Sequence, residues 1–195
     1  MGQNLMQPWL LNIAGILWSV LGLVWLISAL AAKRVVRRQS VASRVIQASP
    51  VAAGFFLLFT HTTLPWWLSQ ALLPDSAPVL WIGLALTAAG IAFAIWARAW
   101  IGRNWSGTVT IKEQHELIQS GPYAWVRHPI YSGFLLAFVG TALIQGQLRG
   151  LLGFFLVLLG FTLKLRLEEN FMAEQFGNAY SDYKKRVRAL VPYVI

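Results

Sequence analysis

The stretch Trp9–Ala32 reads WLLNIAGILWSVLGLVWLISALAA and carries no charge anywhere. A helix of about 20 apolar residues crosses the roughly 30 Å hydrocarbon core of a bilayer. The segment therefore reads as a transmembrane span. It has no basic n-region before it and is too long for the apolar part of a secretory signal. The whole chain follows this reading. Of its 195 residues, 57% are hydrophobic and 12% charged, with mean hydropathy +0.58. Soluble domains hold about 25% charged residues.

Working outward, a basic segment with Lys33, Arg34, Arg37, Arg38 and Arg44 follows the first span. A second span is expected over about 50–73, kinked or ended early near Pro65, and a third over about 78–100. Two shorter apolar stretches, about 129–146 and 150–165, are separated only by Gln147, Leu148 and Arg149 and read as a helical hairpin. The tail 166–195 reads as polar and amphipathic, with Leu167, Phe171, Phe176, Tyr180, Tyr183 and Val187 as a stripe able to rest on a bilayer. The expected fold is all-α: a polytopic membrane protein with about five transmembrane helices, the last two a hairpin, plus a cytosolic C-terminal amphipathic helix. One domain covers 1–195, with three N-terminal spans in 1–100 and the chemistry in 101–195.

The cations collect on one side of these spans. Five follow span one, Arg103, Lys112 and Arg127 lie between spans three and four, and Lys164, Arg166, Lys184, Lys185, Arg186 and Arg188 surround or follow span five. The other side holds only Arg149. The positive-inside rule then puts the N-terminus outside and the C-terminus in the cytosol, in an inner or plasma membrane. The net charge of +9 sits beside apolar segments, where anionic lipid is a simpler partner than nucleic acid.

Several chemistries are excluded by residue content. There are no cysteines, and His61, His115 and His128 are far apart, so no metal site is expected. The glycine-rich dinucleotide and phosphate loops are absent.

The polar groups that remain are concentrated. GPYAWVRHPIYSG, residues 121–133, puts Arg127 and His128 between Pro122 and Pro129, with Gly121 and Gly133 outside them and Tyr123, Trp125 and Tyr131 as aromatic faces. A lone arginine at a membrane boundary is ordinarily a snorkelling anchor, but an anchor does not need so constrained a turn. Glu168 and Glu169 come a few residues after the last apolar stretch, where a carboxylate is costly unless paired or functional.

These residues resemble a family. GPYAWVRHPIYSG is similar to the G-x-Y-x-x-x-R-H-P-x-Y-x-G pattern of the integral-membrane methyltransferases, which include isoprenylcysteine carboxyl methyltransferases and phospholipid N-methyltransferases. EENFMAEQFGNAYSDYKKRVRALVP resembles their second pattern, and HELIQSGPY a third. The resemblance covers about 113–192. It implies S-adenosylmethionine as methyl donor, held on the cytosolic side by His115, Leu117, Ile118, Tyr123, His128, Pro129, Tyr131 and Glu168. Arg127 and Glu169 are expected beside them in catalytic roles. Lys164 stands where an isoprenylcysteine enzyme has an arginine for the substrate carboxylate, keeping the charge without the planar fork. The expected acceptor is amphiphilic: a lipid-linked or isoprenylcysteine-like carboxylate, oriented by Lys164 or Arg166. The alternatives are amine N-methylation of a phospholipid with Glu169 as base, a non-enzymatic membrane protein, and a nicotinamide-dependent membrane reductase.

Overall fold

The computed structural model of the chain describes residues 6–29, 35–38, 40–102, 110–112 and 116–192, with side chains excepted at 35–38 and 110–112. Its helices are α1 (Met6–Ala29), α2 (Val41–Phe59), α3 (Ala77–Ile101), α4 (Pro129–Gln145), α5 (Leu148–Phe176) and α6 (Asn178–Arg186). Helices α1, α2, α3 and α5 are each long and apolar enough to cross a membrane; α4 is apolar but has 17 residues. Two short strands, β1 (Val35–Arg38) and β2 (Thr110–Lys112), pair antiparallel and join the segments that leave α1 and α3. This ribbon is an addition to the helical architecture expected from hydropathy.

Two expected boundaries are corrected. The second span is Val41–Phe59, not 50–73. Ser40 caps it, its Oγ accepting from the Ser43 N–H at 3.2 Å, and the helix runs through Pro50. After Phe59 the chain leaves the helix, and Trp66–Ser69 forms a single 3-10 turn. The last span does not stop near 165. It continues as one helix to Phe176, so Glu168 and Glu169 stand on the same rigid rod as the membrane segment. The α4–α5 hairpin is as expected. Gly146, with φ of 65°, takes the left-handed position that closes α4, and α5 begins at Leu148.

The core is built by close helix contact rather than by bulky filling. A Cβ on Gly90 would lie 2.4 Å from the Ala137 backbone nitrogen, and one on Gly140 would lie 2.4 Å from that of Thr87. Helices α3 and α4 therefore touch backbone to backbone, as small residues permit in membranes. Thr87 and Thr141 share a hydrogen bond at 3.2 Å inside this seam, and Trp18 Nε1 donates to Thr141 Oγ1 at 3.0 Å, tying α1 to it. On the other side, α2 and α5 pack antiparallel. A Cβ on Gly54 would meet the Gly153 carbonyl at 2.6 Å, and one on Gly160 would meet the Gln47 carbonyl at 2.8 Å.

Between α1 and α2 lies a groove of about 890 Å³ with α4 behind it. Trp18, Trp25, Phe55, Leu58, Phe59 and Phe134 form its apolar walls. Phe134 meets Phe161 edge-on at 5.8 Å, and Phe161 stacks on Tyr131 at 4.8 Å. The groove thus ends against the aromatic wall of the site described next.

Candidate active site

The site is assembled from three pieces of chain far apart in sequence. The first is the constrained turn. Gly121 has φ of 59°, and a Cβ there would lie 2.4 Å from the Trp100 ring, so this turn needs glycine. Pro122–Ala124 continue a 3-10 turn, and Pro129 occupies the first position of α4, where its missing N–H costs nothing. Arg127 and His128 are therefore presented at the mouth of a membrane helix.

The second piece is the chain end. Residues after α6 run alongside the turn: Arg127 N donates to Arg188 O at 2.8 Å, His128 N to Ala189 O at 2.9 Å, and Ser132 Oγ to Leu190 O at 2.5 Å. Helix α6 does not rest on a bilayer by its apolar side. Tyr180 and Tyr183 are both buried in the protein, and Tyr183 Oη donates to Tyr123 O at 2.5 Å. Burial pushes the Tyr183 phenol up to about 12, so it stays a donor at any physiological pH.

The third piece is the acidic pair on α5. Arg127 donates to Glu169 Oε1 from Nε at 3.0 Å and from Nη2 at 2.5 Å, while its Nη1 bonds the Val187 carbonyl. Lys184 Nζ donates to Glu169 Oε2 at 2.6 Å. Glu168 takes a hydrogen bond from Tyr131 Oη at 2.6 Å and lies 3.6 Å from His128 Nδ1. The imidazole lies between the two carboxylates. Its Nε2 is 3.5 Å from Glu169 but is buried without a hydrogen-bond partner among the described residues.

His128 titrates in a distinctive way. Burial alone would lower its pKa, but Glu168 and Glu169 outweigh that and hold it above the usual histidine value. The imidazolium's contribution to stability is then complete below about pH 6.5, the unfolded value. It is lost as pH rises through the raised folded value. The melting temperature in detergent should fall across that window, and His128→Gln should flatten the descent. An identical profile in the variant would mean that the imidazole stays uncharged.

Of the expected site residues, Arg127, His128, Tyr131, Glu168 and Glu169 come together. Lys164 joins them, its Nζ 5.5 Å from the centre of the Tyr131 ring. Pro129 is buried as the start of α4. Tyr123 is buried beneath the turn, and its backbone carbonyl holds Tyr183. Leu117 and Ile118 are half-buried in the strand-free segment before the turn, and His115 lies outside the described residues. Arg166 is exposed. Trp125 is exposed too, stacked on Phe93 at 6.2 Å and edge-on to Trp96 at 5.5 Å, an aromatic cluster suited to the headgroup level of a membrane. Sequence reading missed Lys184 and the two tyrosines of α6 as parts of the site. Their i, i+3, i+4 spacing was the available signal, and it was read as a lipid-facing stripe.

This arrangement is a clamp of opposed charges that leaves a buried donor, a carboxylate and an aromatic wall near the membrane boundary. Comparisons with known proteins agree with such a reading. The sequence model of the phospholipid methyltransferase family matches residues 78–179. A probable protein-S-isoprenylcysteine O-methyltransferase of Oryza sativa subsp. indica is 31% identical over 165 residues, covering 81% of this chain and 83% of the relative. The protein-S-isoprenylcysteine O-methyltransferase of Schizosaccharomyces pombe is 35% identical over 96 residues, 48% of this chain and 41% of that one. Among solved structures, a eukaryotic intramembrane Ras methyltransferase, an isoprenylcysteine carboxyl methyltransferase, superposes with a TM-score of 0.50 at 25% identity. That match covers 80% of this chain and 54% of the other, so the chain spans about half the length of that structure.

Proposed function

Because the chain belongs to the phospholipid methyltransferase family and is an integral-membrane methyltransferase, we propose that it transfers a methyl group from S-adenosylmethionine to the carboxylate of an isoprenylcysteine-like or other lipid-linked acceptor. The observation that carries this is the meeting of Arg127 and His128 with Glu168 and Glu169 beside Tyr131 and Lys164. In this reading the five apolar helices cross the membrane with the clamp on the cytosolic side, where the cations are concentrated. Residues 101–195 form the catalytic region.

The donor set fits the cofactor. Its ammonium and hydroxyl groups suit Glu168, and its carboxylate suits the buried His128 Nε2 that has no hydrogen-bond partner among the described residues. Leu117, Ile118 and His115 precede the turn and are proposed to line the same pocket. Bound there, S-adenosylmethionine supplies an electrophilic methyl group on a sulfonium with a neutral leaving group.

The chain's own work is positioning. Tyr131, stacked between His128 at 5.6 Å and Phe161, fixes the orientation of Glu168 through its hydroxyl. Arg127 and Glu169 are occupied with each other and with the chain end, so they fasten the pocket shut rather than act on the reacting atoms. Lys164 supplies the positive charge that draws in the acceptor's head. A carboxylate acceptor is ionised at pH 7 and needs no base. An amine acceptor would have to lose a proton, and Glu169, held by Arg127 and Lys184, is poorly placed to take it. The lateral groove suits the acceptor's apolar chain, since it is walled by aromatic side chains and ends at Phe134 and Phe161.

The test supplies detergent-solubilised protein with methyl-labelled S-adenosylmethionine and, separately, a prenylcysteine analogue and phosphatidylethanolamine. The expected product is a base-labile ester on the prenylcysteine. A base-stable product on the phospholipid alone would replace this reading with N-methylation.

A further inference from the structure

Arg44 has so far had no role. It lies in the first turn of α2, is half-buried, and its Nε is shielded from solvent without a hydrogen-bond partner among the described residues. A buried guanidinium donor left unmade is costly, which makes Arg44 a candidate to take a ligand once its position is considered. Among the described residues, the other buried or half-buried arginines hold named partners through their guanidinium groups, although Arg98 Nε, like that of Arg44, is buried without one. Arg127 binds Glu169 and Val187 O, Arg98 binds the carbonyls of Gly102 and Ser28, and Arg149 binds Gln147 and Thr60 O.

Two independent registers place Arg44 at the site's entrance. Along α2 it precedes Phe55 by eleven residues, about three turns of helix. It therefore projects from the same stripe as Phe55, Leu58 and Phe59, which wall the groove. Across the α2–α5 contact, Gly54 faces Gly153, and Val51 and Gln47 face Gly160. Continuing that antiparallel register by one turn brings Arg44 level with Lys164. Lys164 in turn stands over Tyr131, which binds Glu168.

From this juxtaposition we infer that Arg44 and Lys164 together form the anion subsite that takes the acceptor's carboxylate, with Arg44 setting its orientation. The inference rests on the carboxylate reading of the proposed function. An ammonium is a point charge and leaves a carboxylate free to rotate. In-line transfer needs one carboxylate oxygen held toward the methyl group, and a guanidinium fork binds both oxygens in a fixed plane. The acceptor's apolar chain then continues from Arg44 along the Phe55 stripe into the groove, so one helix reads both ends of the substrate.

The experiment compares N-acetyl-S-farnesylcysteine as substrate with its carboxamide as competitive inhibitor, using full-length protein in detergent. Wild type is expected to favour the carboxylate. Arg44→Gln should raise the KM for the carboxylate about 10–100-fold, the scale of a lost charged hydrogen-bond pair. It should also lower kcat, because the bound carboxylate loses its fixed plane, while the inhibition constant of the carboxamide and S-adenosylmethionine affinity stay near wild type. Arg44→Lys should recover part of the preference, and it carries the test should the glutamine variant fail to fold. Equal weakening of both probes, or an unchanged carboxylate KM, would overturn the assignment. If wild type itself does not distinguish or methylate the carboxylate, the proposed acceptor class fails first, and this subsite with it.

Discussion

Replacing Arg127 with alanine is expected to destabilise the folded chain by about 3–5 kcal/mol, the cost of leaving one partner of a buried ion pair behind. Methyl transfer should drop below about one hundredth of wild type, a barrier rise near 3 kcal/mol. The side chains of Arg127 and Glu169 are 9% and 11% exposed, so water cannot replace what is lost. Arg127 also holds the Val187 carbonyl, and its removal frees the chain end that lines the turn. Lys184 offers the contrast. It binds the same carboxylate at 2.6 Å, but its side chain is 43% exposed. Lys184→Ala should cost about 1 kcal/mol or less. The measurement is thermal unfolding in detergent alongside initial rates. Equal effects of the two substitutions would show that the clamp is not buried as described. The double change Arg127→Ala with Glu169→Ala should cost less than the sum of the single changes, because each single change leaves an unpaired charge.

The second large effect is expected far from the chemistry. Gly90→Ala and Gly140→Ala each push a methyl group into the backbone of the facing helix, at 2.4 Å where ordinary contact needs more than 3.4 Å. Backbone cannot rotate away, so α3 and α4 must separate. Each change should cost about 1–3 kcal/mol, and valine at either position more. Gly15→Ala and Gly22→Ala are the controls. A Cβ at either meets nothing within 4 Å, so these should be neutral or gain up to about 1 kcal/mol from helix propensity. Melting temperatures of the four variants decide it. If all four behave alike, the close α3–α4 seam is wrong. Since α4 begins at Pro129, opening that seam should also displace His128 and Tyr131 and reduce activity.

The membrane helices were legible where hydropathy ran uninterrupted. Met6–Ala29 and Ala77–Ile101 lie within a few residues of the expected 9–32 and 78–100. Helix α2 was misplaced because proline and polar residues carry two meanings. Pro50 looked like the start of a span but sits inside one, and the polar QSVAS run holds the Ser40 cap. Helix α5 was cut short for a related reason. Lys164, Arg166, Glu168 and Glu169 end the apolar run but not the helix, since Tyr131, His128 and Arg127 balance the carboxylates from outside it.

The site was legible as its two halves, turn and acidic pair, through the family resemblance. The geometry that joins them was not. The tail's return along Arg127 and His128 depends on backbone hydrogen bonds with Arg188 and Ala189, which carry no residue-type signal. Nor does spacing along the chain reveal that Lys184 lies on Glu169 or that Gly54 faces Gly153. Those positions follow from how α6 folds back and how α2 and α5 pack, with Gly177 at φ of 51° making the first possible.

The most direct test of the clamp is calorimetric titration of S-adenosylmethionine into the protein in detergent. Wild type should bind it, Glu168→Ala and His128→Ala should each weaken binding by about tenfold or more, and Lys185→Ala, on the exposed pair with Asp182, should match wild type. Unchanged affinity in both clamp variants would contradict the account.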